Sequence, residues 1–452
     1  MFQNASVKRV YVETYGCQMN VSDGELMEGI LAARGYEIVG NPEEADVVLV
    51  NTCAIREHAE RRVLGRVSQL NGLKRENPDL VIGITGCMAQ RMGDDLLEKA
   101  PFVDLVMGPD SYRSLPQAIG GLDNKPRERK QLAVLALQSE ENYQGLEQRR
   151  SEGPSAWLPI QRGCNHRCTF CIVPYVRGPE KNRSPEDILK EVRGLVKDGV
   201  SEVTLLGQTV NSYSLEDVDF PDLLRQVARV PGIRRVRFTS PHPIDVTPRL
   251  VEVMAIEDAV CEQLHLPAQS GNNRTLRRML RRYTVEQLLE KIEMVREAIP
   301  DIALSTDIIV AFPGETEEEF RDTLRLMHRV RFDDAFTYKY SLREGTPATR
   351  LPEEDFISFG EAQTRLEELI DVSRGIRAEI NQDEVGRIEE VLIEKHGRHK
   401  GQLLGRTRRN KVVVFDGDPA LVGEYRRVQL ERTTGATFIG TEIPGSVAAV
   451  RA

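Results

Sequence analysis

Three apolar, β-branched runs each end just before a cysteine, and this arrangement constrains the fold more than any other feature. The runs and the cysteines that follow them are 9–14 with Cys17, 47–50 with Cys53, and 81–84 with Cys87. Segments of helical character, 23–34 and 55–77, separate the runs. Because alternating strands and helices form parallel sheets, this pattern predicts an α/β domain. The carboxyl ends of parallel strands lie on one edge of the sheet, so we expect the three thiols to converge there.

A second group of cysteines, Cys164, Cys168 and Cys171, forms a C-x3-C-x2-C triplet. Iron–sulfur cubanes are normally held by four thiolates, so a triplet leaves one iron open to a small chelating molecule. A structural zinc site is the alternative interpretation, but zinc needs a fourth ligand nearby. His166 lies inside the triplet, where it is poorly placed to complete a tetrahedron. For the three cysteines at the strand ends, a second three-thiolate cluster competes with three buried free thiols.

Six short strand candidates alternate with helices from Trp157 onward, which predicts an incomplete (β/α)6 barrel. These candidates are 158–161, 203–206, 236–239, 263–266, 304–310 and 336–340. Active sites of barrels gather at the carboxyl ends of the strands. The candidate ligand contacts at those ends are Gly207, Gln208, Ser240, Gln269, Ser270, Phe312 and Pro313. Glycine, serine and proline also punctuate ordinary loops, which is the alternative for each of them.

Beyond about residue 382, five strand-like stretches separated by glycine-containing turns predict a small antiparallel β-barrel. The barrel carries a basic run with no acidic residue among its members, which are Arg398, Lys400, Arg406, Arg408, Arg409 and Lys411. Such a run is often only a solvated face, but it is also typical of a phosphate-binding surface. We predict RNA contacts at Arg406, Arg408, Arg409 and Lys411. A second basic group, which serves either substrate guidance or ion pairing, comprises Arg274, Arg277, Arg278, Arg281 and Arg282.

Length and composition agree with a multidomain protein. The 452 residues predict about three domains, which we place at 8–123, 154–381 and 382–446, with a polar linker at 124–153. No apolar run approaches a membrane span, and the amino terminus lacks the apolar core of a signal peptide. Six of the seven cysteines belong to the two groups, which favours a reducing, cytoplasmic compartment, and Cys261 is assigned to packing. The net charge of −9 argues against a uniformly basic protein but allows a local basic face.

Motifs along nearly the whole chain resemble those of the MiaB-type methylthiotransferases, a family of radical S-adenosylmethionine (SAM) enzymes. They are 16–20, 51–56, 85–87, the triplet with Phe170 before its last cysteine, 206–211, 265–271 and 312–316, and the terminal barrel resembles a TRAM domain. Ala311 departs from the pattern, because this family commonly has glycine before Phe312.

The resemblance implies two 4Fe-4S clusters and SAM. Cys164, Cys168 and Cys171 would hold the cluster that binds SAM, and Cys17, Cys53 and Cys87 the cluster that carries the sulfur. The family uses a 5′-deoxyadenosyl radical to add a methylthio group to an unactivated carbon, and the candidate contacts at the barrel strand ends would bind SAM. It also implies a tRNA substrate, an electron donor such as flavodoxin or ferredoxin, and a sulfur or cluster-assembly donor. We expect a monomer with no membrane attachment.

Three substrates are open within this family: N6-isopentenyladenosine next to the tRNA anticodon, threonylcarbamoyl-adenosine in tRNA, and an aspartate of a ribosomal protein. The last branch usually has Pro-Lys-Asn after its first Gly-Cys, whereas this chain has Gln18-Met19-Asn20, which favours the first. A non-catalytic RNA-binding protein with structural clusters is a different class. It is disfavoured because two triplets with an open position serve no structural need.

Overall fold

The computed structural model describes residues 7–54, 57–123, 131–150 and 152–447. Residues 55 and 56 of the second cysteine motif, and residues 124–130 and 151 of the predicted linker, lie outside these ranges. The chain packs as two compact units. The first comprises residues 1–151, 161–167 and 171–184, and the second comprises 152–160, 168–170 and 185–452.

The first unit is built on a six-stranded parallel sheet in the order β2-β1-β3-β4-β5-β6. Its strands are β1 Arg9–Thr14, β2 Glu37–Ile38, β3 Val47–Thr52, β4 Val81–Gly86, β5 Leu105–Met107 and β6 Leu132–Val134. Every residue of β3 and β4 is buried, because apolar side chains cover both faces of the sheet, as is usual for parallel sheets. The predicted parallel α/β domain is confirmed. The three strands that precede the cysteines, β1, β3 and β4, lie side by side in the sheet.

The helices of this unit are α1 Gln18–Ala32, α2 Glu57–Leu70, α3 Cys87–Met92, α4 Asp95–Lys99, α5 Leu115–Asp123 and α6 Val173–Arg177. A short antiparallel pair, β8 Gln161–Arg162 with β9 Lys181–Asn182, precedes and follows α6 along the chain. The first predicted helix begins five residues earlier than expected, directly after Cys17.

Part of the segment interpreted as a linker has structure of its own. β6 pairs with β5 at the edge of the sheet. The Tyr143 ring packs 5.9 Å from that of Tyr112, and its hydroxyl donates to the Pro109 carbonyl at 2.7 Å. The many charged residues around these short apolar stretches hid them in the sequence pattern.

The second unit contains two three-stranded parallel sheets in the orders β13-β10-β7 and β14-β15-β16. The six strands are β7 Ser155–Pro159, β10 Glu202–Leu206, β13 Arg235–Phe238, β14 Gln263–His265, β15 Ala303–Val310 and β16 Asp334–Lys339. A parallel bridge between Val236 and Val260 connects β13 to the segment before β14. The predicted partial (β/α)6 barrel is confirmed, and each strand lies within a few residues of its predicted position.

Seven helices accompany these strands: α7 Pro185–Lys197, α8 Phe220–Ala228, α9 Pro248–Ile256, α10 Asn273–Arg278, α11 Val285–Ala298, α12 Glu317–Val330 and α13 Phe359–Asp383. A minor hairpin, β11 Ser214–Leu215 with β12 Val218–Asp219, lies before α8. The sequence patterns did not single out α13, which leads into the terminal barrel.

The terminal barrel closes in the order β17-β18-β19-β21-β20. Its strands are β17 Ile388–His396, β18 Gln402–Thr407, β19 Val412–Asp416, β20 Tyr425–Thr433 and β21 Thr437–Val447. Alternate residues of β18 and β19 are buried, as expected for strands with one inward face. The predicted barrel is confirmed, although the β19–β21 pair is parallel. Across the described parts of the chain, no helix is both long and apolar enough to cross a membrane.

Candidate active site

The three thiols of the first unit follow adjacent strands of one sheet. Cys17 precedes α1 as its N-terminal capping residue, Cys53 follows β3, and Cys87 is the first residue of α3 directly after β4. The strand register pairs Thr14 with Asn51 and Thr52 with Gly86. The predicted convergence at the carboxyl edge of the sheet is therefore confirmed.

Two glycines leave room for this convergence. Gly16 has a φ of 142°, and a Cβ atom there would lie 2.7 Å from Cys53 Cβ. Gly86 has a φ of 92°, and a Cβ atom there would lie 2.5 Å from the Thr52 carbonyl oxygen. Both positions combine a left-handed backbone with a close approach, so only glycine fits without strain.

The surroundings of these thiols affect how readily each forms the thiolate that binds a metal. A hydrogen bond with Cys53 lowers the pKa of Cys17 to about 6, against the effect of its burial. Burial raises the pKa of Cys87, while the nearby Arg177 guanidinium acts in the opposite direction. Arg177 Nε donates to Cys87 Sγ at 3.2 Å. Three cysteine thiols at one edge of the sheet are a donor set that fits an iron–sulfur cluster.

A buried ion-pair network lies beside Cys87, and the sequence analysis missed it. Asp23 Oδ2 accepts from Arg177 Nη2 at 2.7 Å, and Asp23 Oδ1 lies 2.7 Å from Arg162 Nη1. The Asp23 side chain is fully buried, and each arginine side chain is 4% exposed. One available signal was Arg177 itself, a charged residue at the end of the apolar stretch 172–176.

The cysteine triplet lies on the loop between β8 and α6, and its members belong to different units. In the first unit, the Cys164 amide donates to the Gly178 carbonyl at 3.1 Å. In the second unit, Arg281 Nη1 donates to Cys168 Sγ at 3.4 Å, and the Thr169 amide donates to the Met279 carbonyl at 3.1 Å. Three thiols within the eight residues 164–171 are a donor set that fits thiolate ligation of iron.

Three strand ends of the second unit hold non-glycine residues in the left-handed region. Ser240 follows β13 with a φ of 57°, Gln269 follows β14 with a φ of 66°, and Ala311 follows β15 with a φ of 57°. Backbone strain of this kind clusters at ligand sites. The sequence analysis selected Ser240 and Gln269 as ligand contacts and noted Ala311 for its departure from glycine.

Two predicted contacts carry buried oxygens that the protein leaves unsatisfied. Among the described residues, neither Gln208 Oε1 nor Gln269 Oε1 has a hydrogen-bond partner. An unpaired buried amide oxygen costs about 1–3 kcal/mol. A bound polar molecule would remove that cost, so these two positions fit a cofactor such as SAM.

The other predicted contacts are engaged within the protein to different degrees. The Ser270 hydroxyl accepts from the Asn272 amide at 3.2 Å, and the Pro313 carbonyl accepts from Arg278 Nε at 2.9 Å. Phe312 is fully buried. Gly207, which directly follows β10, is also buried, whereas Ser240 is exposed. Contact of these five residues with SAM stays a prediction.

Replacing Ala311 with glycine is expected to cost the second unit about 1–2 kcal/mol less stability than the same replacement at Ala268, because both positions lose a buried methyl group but only Ala311 relieves a left-handed backbone. A left-handed backbone costs an L-residue roughly 1–2 kcal/mol, and the greater freedom of glycine in the unfolded chain costs both variants about 0.4–1 kcal/mol. Urea denaturation would measure the difference. Ala268, which is fully buried and has no positive φ, is the control, since glycine there should destabilise. A loss of stability in Ala311→Gly as large as that in Ala268→Gly would contradict the strain argument.

All four cations predicted to contact RNA form ion pairs within the second unit. Arg408 Nε lies 2.7 Å from Glu262, Arg409 pairs with both Glu384 and Glu389, and Lys411 Nζ lies 2.6 Å from Asp333. These three side chains are only 10–13% exposed. Arg406 is 35% exposed and pairs with Glu394 at 3.2 Å. Their contact with RNA stays a prediction, but each is already engaged by a carboxylate.

The second basic group also divides by its contacts. Arg274 pairs with Glu319, and Arg278 pairs with Asp355. Arg277 and Arg282 are exposed. Ion pairing therefore accounts for Arg274 and Arg278. Substrate guidance stays an alternative for Arg277 and Arg282.

Three family models match the chain. The Radical SAM superfamily matches residues 158–327, the Uncharacterized protein family UPF0004 matches residues 9–108, and the TRAM domain matches residues 382–441. Together with the partial barrel and its cysteine triplet, these matches define a radical SAM enzyme that carries an additional cysteine-bearing domain and a TRAM domain.

Relatives of nearly full length refine this class. The chain is 46% identical over 437 residues to the tRNA-2-methylthio-N(6)-dimethylallyladenosine synthase of Thermoanaerobacter sp. (strain X514), covering 95% of this chain and 92% of that protein. It is 45% identical over 444 residues to the protein of the same name from Moorella thermoacetica, covering 97% of this chain and 99% of that protein. The chain belongs to this family of radical SAM methylthiotransferases, and the resemblance found in its motifs is confirmed. Membership implies SAM and two 4Fe-4S clusters as cofactors.

Solved structures support the fold. The radical SAM methyltransferase TsrM from Kitasatospora setae, with tryptophan and a SAM analog bound, matches with a TM-score of 0.55 and 15% identity over 73% of this chain and 72% of that chain. The cobalamin-dependent SAM radical enzyme OxsB matches with a TM-score of 0.50 and 14% identity over 81% of this chain and 56% of that chain. At this identity the likeness concerns the fold alone.

Proposed function

We propose that this enzyme converts N6-isopentenyladenosine next to the tRNA anticodon to its 2-methylthio derivative. The observation that carries the proposal is the similarity to relatives named for that product, which extends over nearly the full length of the chain at 45–46% identity. The two cysteine triplets and the terminal barrel supply the parts that such a reaction needs. The sequence Gln18-Met19-Asn20 after Gly16-Cys17 further separates the chain from the branch that modifies a ribosomal protein.

When bound, the two clusters and SAM supply the one-electron chemistry and the sulfur for a carbon that is not acidic. The thiolates of Cys164, Cys168 and Cys171 would hold one cluster, and those of Cys17, Cys53 and Cys87 the other. Arg281 donates a hydrogen bond to Cys168 Sγ, and Arg177 donates one to Cys87 Sγ. Hydrogen bonds to the sulfurs shift the reduction potential of iron–sulfur clusters, so these two arginines would make each cluster easier to reduce.

We propose that SAM contacts the strand ends of the second unit. Gln208 and Gln269 have the strongest support, because their buried oxygens lack partners in the described structure. Gly207 would allow close backbone approach, and Ser240 is exposed at the end of its strand. Ser270, Phe312 and Pro313 would shape the pocket, since their own contacts are with protein.

The partners follow from the proposed chemistry. Reduction of the cluster requires a one-electron donor such as flavodoxin or ferredoxin, and repeated turnover requires a sulfur or cluster-assembly donor. A tRNA substrate would place the enzyme in the cytoplasm, and we propose that it acts there as a monomer.

The test is anaerobic reconstitution followed by mass spectrometry of nucleosides from tRNA incubated with SAM, reductant and sulfide. We expect 2-methylthio-N6-isopentenyladenosine from tRNA that carries the isopentenyl group, and no methylthio product from the same tRNA without it. A tRNA that carries threonylcarbamoyl-adenosine is the matched alternative substrate. Product only from that tRNA would assign the enzyme to the other tRNA branch.

A further inference from the structure

We propose that an exposed basic turn of the terminal barrel, residues 395–400, binds the phosphodiester backbone of the RNA substrate. This inference rests on the proposed tRNA substrate and names the surface that receives it. It comprises the last two residues of β17 and the first four residues of the connection to β18, and its sequence is Lys-His-Gly-Arg-His-Lys. All five of its charged or histidine side chains are exposed.

The turn differs from the rest of the basic run in what its side chains contact. Arg406, Arg408, Arg409 and Lys411 are bound to carboxylates. Within the described residues, the side chains of Lys395, Arg398 and Lys400 form no hydrogen bond or ion pair. A cation already paired with a buried carboxylate must leave that partner to bind a phosphate. A solvated cation loses only water and counterions, whose release favours binding.

The turn also holds its cations on an ordered backbone. The Gly397 amide donates to the Gln402 carbonyl at 2.6 Å, and the Gln402 amide donates to the His399 carbonyl at 3.1 Å. Gln402 Oε1 accepts from the Arg398 amide at 3.2 Å, so one glutamine side chain braces the centre of the turn. A fixed backbone reduces the entropy lost when the side chains contact a ligand.

Acidic groups near the turn are few and partly engaged. Glu394 pairs with Arg406. Asp416 lies opposite Gln402 in the strand register and is exposed, and Asp418 accepts a hydrogen bond from the Ala420 amide. No acidic residue occurs between positions 395 and 415, so the turn presents a local positive surface on a chain whose net charge is −9.

An RNA backbone fits this surface better than an acidic protein does. Three cations spaced along six residues, with two histidines and no apolar side chain among them, offer charge and hydrogen-bond donors without an apolar anchor. Protein interfaces usually depend on buried aromatic or aliphatic anchors, whereas RNA backbones are bound through phosphates and 2′-hydroxyls.

The test compares two triple variants of equal charge in the reconstituted enzyme. The first is Lys395→Gln, Arg398→Gln and Lys400→Gln. The matched control is Lys190→Gln, Arg193→Gln and Lys197→Gln on α7, where all three residues are exposed. Affinity for tRNA would be measured between about 50 and 200 mM salt, since each lost phosphate contact lowers the slope of log affinity against log salt by about one.

We expect the turn variant to bind at least tenfold more weakly and to lose about two to three units of salt slope, while the control retains both. Equal losses in the two variants would reduce the effect to net charge and overturn the proposal. A third variant, Arg408→Gln with Arg409→Gln, tests the paired cations. If it loses affinity and salt slope while the turn variant does not, the RNA surface lies there instead.

Failure of this inference is distinguishable from failure of the proposed function. If wild-type enzyme forms the methylthio product and the turn variant binds tRNA normally, only the assignment of the surface is wrong. If wild-type enzyme binds tRNA through the turn but forms no methylthio product, the surface stands and the proposed reaction does not.

Discussion

Replacing Cys17, Cys53 and Cys87 together with alanine is expected to lower bound iron from about eight to about four atoms per chain, because we propose that each triplet holds one cubane. Methylthiolation of tRNA should be abolished. Cleavage of SAM to methionine and 5′-deoxyadenosine should persist, since the other triplet is intact. Iron analysis and mass spectrometry of the nucleoside and SAM products would measure all three outcomes.

Cys261→Ala is the matched control for this variant. Cys261 is buried, as Cys53 and Cys87 are, but it belongs to the second unit, where it follows α9 and its amide donates to the Val236 carbonyl. Its removal should leave iron near eight and product formation unchanged. Iron that stays near eight in the triple variant would refute the assignment of a cluster to the sheet edge.

The positions of these cysteines were predictable because they follow from strand order and chain direction. A βαβ connection makes neighbouring strands parallel, so a cysteine after each strand must reach the same edge. The strand register bears this out, with Cys53 and Cys87 following paired residues of β3 and β4. Motif placement on the barrel was predictable for the same reason, because Gln208 and Gln269 each follow a strand.

The partners of charged side chains were not predictable in this way. Arg408 meets Glu262, 146 positions away in sequence, and Asp23 meets Arg177, 154 positions away. No periodicity or local spacing reports such long-range pairs. The run from Arg398 to Lys411 therefore looked uniform as a sequence, although the structure divides it into an exposed turn and a set of paired cations.

The buried network around Asp23 yields the second large prediction. Asp23→Asn keeps the shape of the side chain but leaves the guanidinium groups of Arg162 and Arg177 without a buried counter-charge. Breaking a buried pair on one side typically costs about 3–5 kcal/mol. We expect the free energy of opening of β1, β3 and β4 to fall by that amount in the iron-free full-length chain, measured by hydrogen exchange of their amides.

Two further variants determine whether the loss arises from uncompensated charge. Arg9→Gln removes an ion pair with Asp46 in the same unit, where the side chains are 43% and 32% exposed, and exposed pairs contribute only about 0–1 kcal/mol. Adding Arg162→Met and Arg177→Met to Asp23→Asn should recover much of the stability, because well-packed apolar groups can replace buried ions. If the triple variant is less stable than Asp23→Asn alone, the arginines contribute through packing and not through charge. If stability recovers but iron binding falls, Arg177 also supports metal binding by Cys87, to whose Sγ its Nε donates a hydrogen bond.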